Sequence, residues 1–98
     1  MVIEMAHFGR ALATRANGRA SFDAIMAQTS NLSTDVTFDF SNVDSITNSF
    51  ADEVFGRMAS EWGMDFLRSH ISFRNINRFW AQIIRTAMDA RSSSSNVA

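Results

Sequence analysis

Ser49 is the side chain whose type and position offer chemistry. Its hydroxyl stands where a polar stretch, Ser41 to Asn48, gives way to an amphipathic helical pattern, and Asp52 and Glu53 follow within a turn. Ser, Thr, Asn and Asp side chains bond to nearby backbone and favour turns and helix starts. With Ser49 as N-cap, Asp52 falls at N3, an acidic variant of the capping box. Asn48 or Thr47 could cap instead, which would put Ser49 inside the first turn. Asp52 and Glu53 suit the positive end of the helix dipole. Phe50, Val54, Met58 and Trp62 form one stripe of the helix, with Ala51 and Phe55 beside them. The other side carries Asp52, Glu53, Gly56, Arg57 and Ser60. Asn48, Ser49, Asp52, Glu53 and Gly56 line the exposed side of this junction and form the candidate partner-binding surface, with Gly56 permitting close approach.

Other chemistries lack their residues. There is no cysteine, so disulfides and thiolate metal sites are excluded. His7 and His70 are far apart in sequence and have no ligand-like spacing, so no metal site and no cofactor are expected. No nucleophile stands in a recognisable motif with a histidine and an acid, and no glycine-rich phosphate loop is present. The chain is therefore expected not to be an enzyme, with no catalytic residues. No apolar run is long enough to span a membrane, and "MVIEMAHFGR" does not read as a signal peptide, so a cytoplasmic location is the expectation. The net charge of −1 hides an asymmetry. Residues 35–65 carry seven acids against Arg57, and residues 66–91 carry five arginines against Asp89. Such runs read first as solvated faces that pair within the domain. Aromatic-basic interleaving is missing, so nucleic acid is not expected as a partner.

The elements that must position Ser49 follow from periodicity. Val36, Phe38 and Phe40 alternate with Asp35, Thr37 and Asp39, the pattern of a half-buried strand. A strand buried on both faces would be apolar throughout, so helices should cover mainly one face of the sheet. Residues 2–14 suggest a β-hairpin turning at Gly9. Residues 15–28 suggest a helix with Gly18, Phe22, Ile25 and Met26 on one face, Gly18 marking close helix-sheet packing. Gly63 is a stop for the central helix, and Phe66 and Leu67 could add a turn. "HISFR" (70–74) is a short strand with Ile71 and Phe73 inward. Asn75 or Asn77 caps a last helix whose apolar face includes Trp80, Ile83, Ile84, Ala87 and Met88. The expected fold is α/β: a small mixed sheet with helices mainly on one face. The expected domain spans 1–90, and 91–98 are expected to form a disordered Ser-rich tail.

This element order resembles the STAS-like domains, relatives of bacterial anti-sigma-factor antagonists, and within them a STAS-like family of unknown function. "LATRANGRA" (12–20), "FDFSNVDSITNSFADEVFGRM" (38–58) and "ISFRNIN" (71–77) carry the resemblance, which covers nearly the whole chain apart from the tail. In the antagonists a serine or threonine at the start of this helix is phosphorylated by a histidine-kinase-like ATPase. The resemblance puts Ser49 on that position, while Thr47, Asn48 and Phe50 depart from the residues around it. It implies a non-enzymatic regulatory module that binds an ATPase or related anti-sigma-type protein. The alternative is a scaffold or oligomerisation subunit of a bacterial stress or defence system, possible as a homo-oligomer, without phosphorylation.

Overall fold

The computed structural model describes residues 1–95, with side chains described as far as Ser92. Strand β1 (Val2–Glu4) leads through a 3-10 turn (Met5–Phe8) into β2 (Ala11–Leu12) and helix α1 (Arg15–Thr29). Strands β3 (Val36–Asp39) and β4 (Ser45–Ile46) precede the central helix. That helix is built from α2 (Asn48–Ala51), a π-helical turn (Asp52–Gly56) and α3 (Arg57–Trp62). Helix α4 (Met64–His70), strand β5 (Ile71–Arg74) and helix α5 (Arg78–Ser95) complete the described chain.

Strand β3 is the centre of a three-stranded sheet, between β1 and β5, and β2 pairs with β4 in a second, two-stranded sheet. Every pairing is parallel. The expected mixed sheet and the hairpin over residues 2–14 are therefore corrected. The 3-10 turn buries Met5, and Gly9 adopts φ 131°, a conformation open chiefly to glycine. The chain thereby leaves β1 without doubling back on it, and each strand finds a partner more than thirty residues away. Two- and three-residue strands carry too little pattern to declare such partners.

Alternation in β3 works as its sequence suggests. Val36 and Phe38 are buried on the helix-facing side, and Thr37 bonds Ser72 across the other face at 2.9 Å. Register puts Ile3, Phe38 and Phe73 side by side. Phe38 meets Phe55 of the central helix edge-on at 5.2 Å, and Phe40 lies 6.3 Å from both Phe55 and Trp80. These aromatics weld the sheet to the helix layer, the centre of the hydrophobic core. On the opposite face Val2, Glu4, Ser72 and Arg74 are exposed, so helices cover mainly one side.

Helix boundaries have local causes. Thr14 caps α1 by accepting from the Asn17 N–H. Gly63, at φ 84°, ends α3 and starts α4. Asn77 caps α5 by accepting from the Trp80 N–H at 2.9 Å. Helix α5 does not end at residue 90: Arg91 to Ser95 are helical, so the expected tail boundary falls inside it. The remainder of the expected tail, 96–98, lies outside the described residues. Gly18 marks helix-helix rather than helix-sheet packing, for a Cβ there would lie 2.7 Å from the Cβ of Glu53.

Candidate functional site

Thr47, not Ser49, caps the central helix. Its backbone is extended, and its Oγ1 accepts from the Phe50 N–H at 3.2 Å while donating to the Ala13 carbonyl at 2.6 Å. The Thr47 N–H also donates to the Leu12 carbonyl, so the helix start is tied to the end of β2. Asn48 and Ser49 consequently occupy the first helical turn. Asn48 is exposed and Ser49 half-buried. The Ser49 hydroxyl has no hydrogen bond among the described residues. It opens instead onto a cleft of about 230 Å³ between the central helix and α5, lined by Arg15, Asn48, Asp52, Ile83 and Thr86 among others.

Asp52 and Glu53 do not form a bare acidic surface. Arg91 of α5 grips Asp52 with two hydrogen bonds of 2.7 and 2.9 Å. Arg15 of α1 donates to Asp52 at 2.8 Å and to Glu53 at 3.2 Å, and Arg19 stands 3.7 Å from Glu53. This charge clamp joins three helices. The Arg91 guanidinium, with Arg15 behind it, holds the Asp52 carboxyl down at about 2 against the opposing effect of burial. Gly56 is buried, not presented: a Cβ there would lie 2.9 Å from the Arg91 Cγ and 3.3 Å from the Ala87 carbonyl. The π-helical turn covers the same five residues, Asp52 to Gly56, that meet α1 and α5; such turns recur at functional sites. Of the expected partner-binding residues, Asn48 and Ser49 border open space, whereas Glu53 and Gly56 are closed over by neighbouring helices and Asp52 lines the cleft from within its clamp.

A second carboxylate is held at the far end of the sheet. Asp39 is buried despite its outward register. It accepts from the Asn75 side-chain amide at 2.9 Å, the Ser41 N–H and hydroxyl, and the Arg74 guanidinium at 2.9 Å. Those donors, Asn75 first, keep its carboxyl far below the usual carboxylate range. Alternation placed Asp39 on the open face but could not show that β5 and its following loop would cover it. Nor did sequence reasoning assign roles to Arg15 and Arg19, although the expected pairing of the arginines of residues 66–91 with the acids of 35–65 is met by Arg91 with Asp52 and Arg74 with Asp39. The one-turn spacing of Arg15 and Arg19 was the available signal for those two. Among the described residues no group of three or more His, Asp or Glu could hold a metal ion, and no helix is long and apolar enough to cross a membrane.

Residues 22–78 match the STAS-like domain of unknown function (DUF4325). The chain belongs to that STAS-like family. The match contains the whole central stretch from Phe38 to Met58 and the run "ISFRNIN", while "LATRANGRA" lies before it. The α/β architecture of helices over small parallel sheets agrees with a STAS-like domain. No curated protein and no solved structure matches the chain.

Proposed function

We propose that this STAS-like chain is a non-enzymatic regulatory module of the anti-sigma-factor-antagonist type. It offers the start of the central helix, Asn48 and Ser49, and the adjoining cleft to a histidine-kinase-like ATPase or related anti-sigma-type protein. Ser49 is the phosphoacceptor. The observation that supports this reading most is the division of labour at the helix start. Thr47 does the capping, so the Ser49 hydroxyl has no structural employment and faces a cleft. Arg15 lines the same cleft, and its guanidinium could share itself between Asp52 and a phosphate on Ser49. The acids beside Ser49 are already neutralised by arginines, which lowers the repulsion an added phosphate would meet.

The test compares Ser49→Asp with wild type in melting and in binding to a cognate histidine-kinase-like ATPase. An unchanged melting curve with binding weakened at least tenfold is expected. Unchanged binding by the Asp variant contradicts the reading. A second reading, a scaffold or oligomerisation subunit of a stress or defence system without phosphorylation, draws on Phe79, which stands 79% exposed on the first turn of α5. A concentration-dependent dimer that Phe79→Arg abolishes in sedimentation velocity would favour it.

A further inference from the structure

Helix α5 has two working stripes. Ile83, Thr86, Ala87 and Ala90 border the Ser49 cleft, whereas Ala81, Ile84, Arg85 and Met88 border a separate half-open cavity of about 320 Å³ between α4, β5 and α5. Leu67, Ile84 and Met88 are buried at this cavity, and Ile71, Phe73 and Met64 add further apolar wall. Its size lies at the lower end of the range of about 300–1,000 Å³ usual for small-molecule sites. At about 30 Å³ apiece, roughly ten non-hydrogen atoms would fit. Methionine side chains adapt to the shape of an apolar guest.

Three charged residues line the same cavity: Arg68, Arg85 and Asp89. Arg68 is engaged by Asp65 at 3.1 Å. Two further arginines of the basic C-terminal stretch are engaged elsewhere, Arg74 by Asp39 and Arg91 by Asp52. Arg85 has no ion pair among the described residues, although Asp89 lies one turn along the same helix. A guanidinium beside an apolar cavity suits a ligand with a carboxylate head and a hydrocarbon body. Asp89, one turn from Arg85, would repel a doubly charged head such as a phosphate dianion, and the apolar wall would leave the far carboxylate of a long dicarboxylate unpaired, so a monocarboxylate fits best.

We propose that this cavity binds a small amphiphilic monocarboxylate, its hydrocarbon body against Leu67, Ile84 and Met88 and its carboxylate on the Arg85 guanidinium. The site does not depend on Ser49. Calorimetric titration of the full chain with decanoate, decanol and decanedioate tests it, with methyl NMR shifts of Met64 and Met88 as the locator. Decanoate should bind saturably and shift both methyls, decanol should bind more weakly, and decanedioate weakest of all. Arg85→Ala should weaken decanoate about tenfold, as loss of one charge-assisted contact does. Asp89→Asn should strengthen it. Ala81 is exposed and lines the cavity, so Ala81→Trp should fill it and abolish binding with the melting curve preserved. Ser49→Ala should change nothing. Non-saturable binding, decanol equal to decanoate, insensitivity to Arg85→Ala or Ala81→Trp, or methyl shifts produced only by self-association would each overturn the proposal.

Discussion

One face of the central helix turns Phe50, Val54, Phe55 and Met58 into the core, all fully buried and with no charge among them, and Phe55 meets Phe38 and Phe73 of the sheet. The opposite face puts Asp52, Glu53 and Gly56 between α1 and α5, where glycines allow close approach and arginines hold carboxylates. The first face is bound by area and shape, which do not respond to pH or to a new charge. The second is bound by long, partly exposed side chains that can exchange partners. A helix so mounted has a fixed interior and an adjustable rim, and Ser49 lies on the rim.

Substitutions on the two faces should therefore differ in size and in pH response. Phe55→Ala should be the largest, at about 3–5 kcal/mol in denaturant unfolding, the usual cost of emptying a core phenylalanine site. A loss below about 1 kcal/mol would take Phe55 out of the core and end the contrast. Gly18→Ala comes next, at about 1–3 kcal/mol. Alanine is the better helix former by about 1 kcal/mol, but the added methyl would sit 2.7 Å from the Cβ of Glu53, and α1 must move. A stabilised Gly18→Ala protein would show that this crossing is loose.

Arg91→Ala should cost about 1–2 kcal/mol at neutral pH, a charged hydrogen-bonded pair discounted for its exposure to solvent. This loss should depend on pH. Asp52 titrates at about 2 in the folded chain and near about 3.9 when unfolded. Its contribution is thus complete above the unfolded value and disappears as pH falls through the folded one. The gap between wild type and Arg91→Ala should narrow from about pH 4 to pH 2, and a gap constant across that window would show that Arg91 acts through packing alone. The smallest effect is at the cap. Thr47→Ala should cost about 0.5–2 kcal/mol, whereas Ser49→Ala should stay within about 0.5 kcal/mol. Reversal of that order would return Ser49 to a structural role.

The sequence makes the first face legible and leaves the second obscure. Alternation of Val36, Phe38 and Phe40, and the four-residue spacing from Phe50 to Trp62, reveal what turns inward because burial selects residue type directly. Pairing of charges depends on where α1 and α5 cross the central helix, which no local pattern records. Arg91 stands beside a serine run and looked detached from the fold, yet the helix continues past it and its guanidinium completes the clamp. Short strands posed the same difficulty: Gly9 resembles a hairpin turn, and only the distant partners of β1 and β2 decide otherwise. Leu32 shows the limit in another form. It is buried within a polar connection because Ser30, Asn31 and Leu32 all take left-handed backbone conformations, an arrangement uncommon for side chains with a Cβ.

On the proposed reading Ser49 is a chemical rather than a structural serine. Intact-mass and peptide mass spectrometry after incubation with a cognate histidine-kinase-like ATPase and ATP test that most directly. One phosphate per wild-type chain, located on Ser49 and missing from Ser49→Ala, is the expected result. An unmodified Ser49, or an equal phosphate load on Ser49→Ala, would contradict it.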